Sequence, residues 1–291
     1  MISTRLGFIL AALLFCAAAG EACEIASQRV NLEEGSIAYS RAGAGTPILL
    51  LHGLFAQKEQ WNALLCLLAE GGYSAIAPDL PGFGQSVDFP TEDYRLDRQA
   101  MLLHRFMAAL GVETYHLAGS SMGGAIAALY ARDYHREVRS LAFIGAPLGM
   151  VEWGPSVKNA IFQGTNPFIP VDDAQFDLEM RLLFMQPPEI PPAVKAALVR
   201  EYVDHNRHYQ QVWDIVNLYG NLFRGGPWGG KATLILWGVE DRIFAVDGAV
   251  PLKRRFPRGQ LRKLSNAGHL LLMENADAVA ALYLRFLRNK H

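Results

Sequence analysis

The chain has 291 residues, 51% of them hydrophobic and 19% charged, and its 27 Lys and Arg against 28 Asp and Glu leave a net charge of −1. That length can bury one large core or a core plus an insertion. The basic residues are spread along the chain without the stripe that nucleic-acid binding needs, and no solenoid-period repeat is visible.

Arg5 followed by the apolar run Leu6 to Ala19 and the small residues of "CAAAGEAC" reads as an export signal over residues 1–22, cleaved after Ala19 or Ala22. The run is short for a membrane span. An uncleaved anchor and a lipid-modified Cys23 are the alternatives, and Gly20-Glu21-Ala22 lacks the apolar residue a lipid-modification site expects three places before the cysteine. Cys16 leaves with the signal. Cys23 and Cys66 could pair in an oxidising compartment, but Cys66 sits in the apolar stretch "WNALLCLLAEGG" and reads as a buried small hydrophobe.

The rest of the chain alternates. Residues 29–43 suggest a hairpin turning at Glu34-Gly35, and "PILLLHG" (47–53) is an apolar run suited to a strand buried on both faces. A helix is expected over 58–70, a strand over 73–80, a Gly/Pro loop "PGFGQS" at 81–86 and a helix near 92–110. Strand 115–120, helix 121–133 and strand 140–147 follow. After the stretch 148–230 come strand 232–238, a helix, strand 259–265 and a final helix from about 275 to 288. This alternation predicts an α/β fold with a mostly parallel central sheet and helices on both faces, where ligands bind at the carboxyl ends of strands. Residues 148–230 hold several prolines and helical pieces with no clear buried strand. They are expected to be a helical cap inserted between two strands, with the core domain formed by 23–147 and 231–291.

The candidate chemistry lies directly after the strands. Strand 115–120 runs into Gly119-Ser120-Ser121-Met122-Gly123, a G-x-S-x-G pattern at a strand-to-helix turn. Such a turn exposes a serine hydroxyl, and its glycines let the chain pass closely. The glycines flank Ser121 symmetrically, so Ser121 is the nucleophile candidate and Ser120 the residue before it; the bland alternative is an N-cap serine. A serine needs a base, and His269, next to Gly268 after strand 259–265, is best placed among the eight histidines. An acid must orient that histidine. Asp241, three residues past strand 232–238, is the candidate, with Glu240 its rival. The order Ser121, Asp241, His269 is the one in which α/β-hydrolases carry their triad. An oxyanion would be held by the backbone N–H groups of Met122 and of Leu54, with Phe55 the alternative to Leu54. His52 is expected to support that loop by hydrogen bonding.

With "LLLHG" and Trp61, "APDLPGFGQS", "LAGSSMGGAIAALYA", "LILWGVEDRIF" and "NAGHLLLMENADAVAALYLRFL" in this order, the sequence resembles the α/β-hydrolase family over nearly all of residues 27–289. It looks most like capped bacterial esterase/lipases and monoacylglycerol lipases. The resemblance implies Ser121, Asp241 and His269 as triad, no metal and no organic cofactor. A serine, where related dehalogenases and epoxide hydrolases carry aspartate, implies acyl transfer through an acyl-enzyme on short-to-medium acyl or lipid-like esters.

Phe162, Phe168, Phe176, Leu182, Phe184, Met185 and Trp213 in the cap could cover an acyl chain, although a helical insertion also needs its own buried face. His205 and His208 in "DHNRH" read as a solvated helix face and not as metal ligands. The expected partner is a small-molecule or lipid ester, with no nucleic acid and a transient contact of the cap with a lipid surface. A carbon–carbon bond hydrolase and a non-catalytic binding protein are the competing readings.

Overall fold

In the computed structural model, residues 23–289 are described apart from 87, 219, 225–227 and 229. The expected export signal, residues 1–22, lies outside the described residues. Eight strands, β1 (Ala26–Asn31), β2 (Ser36–Ala42), β3 (Thr46–Leu51), β4 (Tyr73–Pro78), β5 (Tyr115–Gly119), β6 (Val138–Ile144), β7 (Thr233–Gly238) and β8 (Gly259–Leu264), form one sheet in the order β1-β2-β4-β3-β5-β6-β7-β8. β1 with β2 and β2 with β4 are antiparallel; every other neighbouring pair is parallel. This is the mostly parallel α/β sheet that the alternation predicted.

The central strands are apolar on both sides because both faces are covered. Along β3, Leu49 and Leu51 point into one core cluster and Ile48 and Leu50 into the other. The first cluster includes residues of α2 (Leu96–Ala109), α3 (Met122–Asp133) and α8 (Ala249–Arg255). The second includes α1 (Asn62–Glu70) and α10 (Ala276–Arg288), with the single turn α9 (Leu271–Glu274) before it. The helix expected over 92–110 begins later. Arg95 is extended, with ψ 136°, and separates a 3-10 turn at Thr91–Tyr94 from α2.

Between β6 and β7 the chain forms α4 (Pro155–Phe162), α5 (Asp173–Leu183), α6 (Pro192–Asp204) and α7 (Asn206–Leu218). The Asp172 carboxylate caps α5 by accepting from Gln175 N–H at 2.8 Å. Phe176, Met180, Phe184, Leu198 and Val199 give α5 and α6 a small core of their own.

Cys66 departs from its expected role. It is half-buried and joined to Cys23 in a disulfide with the Cα atoms 5.5 Å apart. The segment before β1 lies against α1, an encounter between residues 43 apart in sequence that no local pattern encodes.

Candidate active site

Ser121 sits between β5 and α3 with φ 51° and ψ −115°, a left-handed conformation rare for a residue with a side chain. Close backbone contacts hold it there. The Ser121 carbonyl accepts from the N–H groups of Ala125 and Leu148, both at 3.1 Å, and Ser120 N–H donates to Leu51 O at 3.0 Å. A Cβ on Gly119 would lie 2.1 Å from Gly123 O, and one on Gly123 would lie 2.0 Å from Leu51 O. Only glycine fits at either position. Ser121 does not cap its helix through its side chain. Among the described residues its hydroxyl has no hydrogen-bond partner, so the capping role that would make this an ordinary serine is absent.

Asp241 and His269 come together from the loops after β7 and β8. Asp241 Oδ1 accepts from Ile243 N–H and Phe244 N–H, both at 2.9 Å, which leaves Oδ2 to face the imidazole. His269 Nδ1 stands 3.0 Å from that oxygen, and both side chains are almost wholly buried. With Nδ1–H donating to the carboxylate, Nε2 carries the lone pair. The rival Glu240 is turned elsewhere: its Oε2 accepts from Ala267 N–H at 3.0 Å. Glu274 and the backbone fix the histidine loop to the cap. Glu274 Oε2 accepts from Gly268 N–H at 2.6 Å, its Oε1 from Met185 N–H at 2.8 Å, and Leu270 N–H donates to Leu183 O at 3.0 Å.

The loop after β3 borders Ser121: a Cβ built on Gly53 would lie 3.6 Å from Ser121 Cβ. Both polar groups of Gly53 are engaged, its N–H with Gln60 Oε1 at 3.0 Å and its carbonyl with His52 Nδ1 at 2.8 Å. Phe55 has φ 57°, and Ala56 N–H closes the turn on Gly53 O at 3.3 Å. The N–H groups of Leu54, Phe55 and Met122 have no hydrogen-bond partner among the described residues. His52 is fully buried; Leu80 N–H donates to its Nε2 at 2.9 Å, which tethers the "PGFGQS" loop. Burial pushes its pKa down to about 4, against the smaller opposing effects of the Gly53 carbonyl and Glu59. His52 is thus a neutral structural bridge. Asp79 reinforces it, accepting from Lys58 N–H at 2.7 Å and Gln85 N–H at 2.9 Å.

Ser121, His269, Leu54 and Phe55 line one cavity of about 190 Å³ under the cap. Trp153, Phe168 and Trp213 form one wall, with Phe244 stacked on Trp153 at 4.7 Å between ring centres and Phe244 5.5 Å from the His269 ring. Of the cap residues singled out in the sequence, Phe168, Phe176, Phe184 and Trp213 line the cavity. Leu182 is buried in the main core, Met185 lies outside the lining, and Phe162 is 91% exposed at the end of α4. Those three do not cover the site: α4 and α5 turn Phe162 and Leu182 elsewhere, and Met185 lies past the end of α5. His205 pairs with Glu201 at 3.0 Å, and His208 packs edge-on against Tyr94.

Sequence reasoning missed the polar lining: Gln57, Gln60, Glu179, Glu201, Tyr202 and Tyr209. Glu179 did leave a signal. It falls three residues after Phe176 and four before Leu183, within the apolar stripe of α5. Burial pushes its pKa up to about 8, partly opposed by a hydrogen bond from Tyr202.

A profile of the alpha/beta hydrolase fold matches residues 46–276, and the chain belongs to that family. Lipase 3 of Moraxella sp. (strain TA144) is 30% identical over 83% of this chain and 77% of its own length. Monoacylglycerol lipase ABHD6 of Homo sapiens is 27% identical over 90% of this chain and 82% of its own. A bacterial membrane phospholipase A superposes with a TM-score of 0.80 at 30% identity, covering 96% of this chain and 92% of that one. A 2-hydroxy-6-oxo-6-phenylhexa-2,4-dienoate hydrolase from Rhodococcus, at 22% identity and TM-score 0.75 over 91% of this chain and 99% of that one, shares the fold.

Proposed function

We propose that this chain, an ester-hydrolysing enzyme of the α/β-hydrolase type, cleaves lipid-like esters through an acyl-enzyme on Ser121. The observation that carries the reading is the buried Asp241–His269 pair opening into the same apolar cavity as the unengaged, strained Ser121. The lipase names of its relatives support a lipid-like acyl group, and so does the aromatic wall beside His269.

In the proposed mechanism His269 Nε2 takes the Ser121 hydroxyl proton as Oγ bonds to the ester carbonyl carbon. The carbonyl oxygen gains the electron pair and is held by the N–H groups of Leu54 and Met122, each donor worth about 3 kcal/mol in the transition state. Asp241 stabilises the imidazolium that forms. The tetrahedral intermediate collapses and expels the alcohol, which takes the proton from Nε2. Water, deprotonated by His269, then attacks the acyl-enzyme and releases the acid and Ser121.

Export through residues 1–22, to a periplasmic or extracellular compartment, belongs to the same proposal. The Cys23–Cys66 disulfide supports it, because such bonds persist in oxidising compartments. A brief contact of the cap with a lipid surface is supported by exposed Phe162 and Leu218.

The test is hydrolysis of a chain-length series of p-nitrophenyl esters by wild type and Ser121→Ala, with folding followed by circular dichroism. Turnover lost in a folded variant supports the reading. Equal turnover by both refutes it.

A further inference from the structure

Beyond Leu51 the strand pairing of β3 ends. Its last partners are Ile76 of β4, opposite Leu49, and Gly119 of β5, opposite Leu51. The next peptide groups carry the loop that borders Ser121, and no ladder fixes them. Two side chains take over. Gln60 Oε1 accepts from Gly53 N–H at 3.0 Å, and the Gly53 carbonyl accepts from His52 Nδ1–H at 2.8 Å. The donor on His52 is Nδ1 because Nε2 accepts from Leu80 N–H. The Gln60 oxygen, not its NH2, faces Gly53 for the same reason: a backbone N–H only donates.

These bonds act on successive peptide planes. Gly53 N–H belongs to the plane that joins His52 to Gly53. The Gly53 carbonyl and Leu54 N–H share the next plane and point in opposite directions across it. His52 therefore sets the tilt of the plane carrying the proposed oxyanion donor, and Gln60 fixes the plane from which it swings. Glycine restrains rotation between the two least of any residue, and Phe55 beyond it is left-handed, at φ 57°. The backbone alone holds this arrangement weakly. Gln60 is itself well anchored. It is 9% exposed and lies in the 3-10 turn Lys58–Trp61, where Lys58 N–H donates to Asp79 Oδ1 at 2.7 Å and Trp61 is fully buried. A Cβ built on Gly53 would lie 3.9 Å from Gln60 Nε2 and 3.6 Å from Ser121 Cβ, so the amide and the nucleophile flank the same residue.

We propose that Gln60 is a positioning residue for the reaction: by holding Gly53 N–H, its side-chain oxygen aims Leu54 N–H at the carbonyl oxygen of the substrate. Gln60 acts through the loop and touches no reacting atom. The inference rests on the ester-hydrolase reading and adds to it a residue, outside the triad and the oxyanion donors, on which transition-state stabilisation depends.

The test uses the full-length enzyme with p-nitrophenyl butyrate and its thionoester, in which sulfur replaces the carbonyl oxygen. Sulfur is larger and a weaker acceptor, so donors aimed at an oxyanion favour the oxo ester, and the oxo/thiono ratio of kcat/KM reports their aim. Gln60→Met keeps the length of the side chain and removes its amide. For the oxo ester its kcat is expected to fall about tenfold to a hundredfold, with KM within about threefold of wild type. Its oxo/thiono ratio is expected to fall at least about fivefold. A merely structural loss would slow both esters alike and leave the ratio unchanged. Gln60→Glu keeps an acceptor at the same reach; its charge slows both esters, and its ratio is expected to stay within about twofold of wild type. If Gln60→Met does not fold, Gln60→Asn, one carbon too short to reach Gly53, takes its place with the same expectation. A folded variant of either kind with the wild-type ratio overturns the assignment, as does a Gln60→Glu ratio that falls as far as theirs. Those results leave the ester-hydrolase reading intact. A wild type that cleaves neither ester overturns both.

Discussion

Replacing Asp241 with asparagine isolates the role of one oxygen. Asp241 Oδ1 accepts from two backbone N–H groups, at Ile243 and Phe244. The asparagine carbonyl must therefore stay on that side, since an NH2 group there would leave two buried N–H donors unmatched at about 1–3 kcal/mol each. The amide NH2 then faces His269 Nδ1 across the 3.0 Å now spanned by the carboxylate contact. Two donors cannot meet, so the imidazole proton moves to Nε2, the atom that must accept the Ser121 proton. The variant also lacks the anion beside the imidazolium of the transition state. At 3.0 Å and an effective dielectric constant near 20, that attraction is about 5 kcal/mol, or roughly 10³- to 10⁴-fold in rate. Steady-state kinetics on a soluble p-nitrophenyl ester should show kcat down by that factor with KM within about threefold, in a variant whose circular dichroism matches wild type. The neighbouring Glu240→Gln should keep kcat within about threefold, because its carboxylate serves Ala267. A folded Asp241→Asn with kcat within tenfold of wild type would refute the reasoning, and a collapse in Glu240→Gln instead would exchange the two roles.

Cys66→Ser should cost about 2–4 kcal/mol, because the lost bond closes a loop between residues 43 apart. Thermal melts should show a fall in Tm of roughly 5–10 °C; a wild-type Tm insensitive to reductant would contradict this. His52 gives a pH dependence of definite sign. Its folded pKa, held near 4 by burial, lies below the unfolded value of 6.5, so the unfolded chain binds the proton first on acidification. The stability this contributes is complete above pH 6.5 and is lost as the pH falls toward 4, by about 3 kcal/mol. Urea unfolding of wild type and His52→Asn at pH 7, 5.5 and 4 should give the variant the flatter profile, and parallel profiles would count against the assignment.

The sheet and the Ser121, Asp241 and His269 positions were legible because their signals are local. A buried parallel strand writes itself as an apolar run, and a tight strand-to-helix turn demands glycine where a Cβ would strike Leu51 or Gly123. The disulfide was legible only as an alternative to a buried Cys66, since the meeting of Cys23 with α1 depends on how the chain returns through three strands. The cap was legible as helix but not as wall. Phe162 and Phe168 read alike in sequence, yet one faces solvent at the end of α4 and the other, in the turn after it, stacks near Trp213, because the direction of each side chain is set by packing that the local pattern does not contain. Glu179 lay between these cases: its place in an apolar stripe marked it as anomalous, but its partner and its cavity are tertiary facts.

The groups proposed for catalysis and the cavity wall come from different parts of the chain, and the parts tolerate change differently. The groups proposed for catalysis hang from loops after β5, β7 and β8, whose strands share the main core. Part of the cavity wall comes from α5, the residue after it and α6, and there Phe176, Met180, Phe184 and Leu198 are at once the lining and the packing of the cap. Enlarging the cavity by truncating one of these aromatic residues also opens a void in the cap, at a cost of about 3–5 kcal/mol for Phe→Ala. The cap in turn is bonded to the His269 loop through Glu274 and Leu270, so loosening it reaches the base. A change in cavity size is therefore bound to the stability of the cap itself.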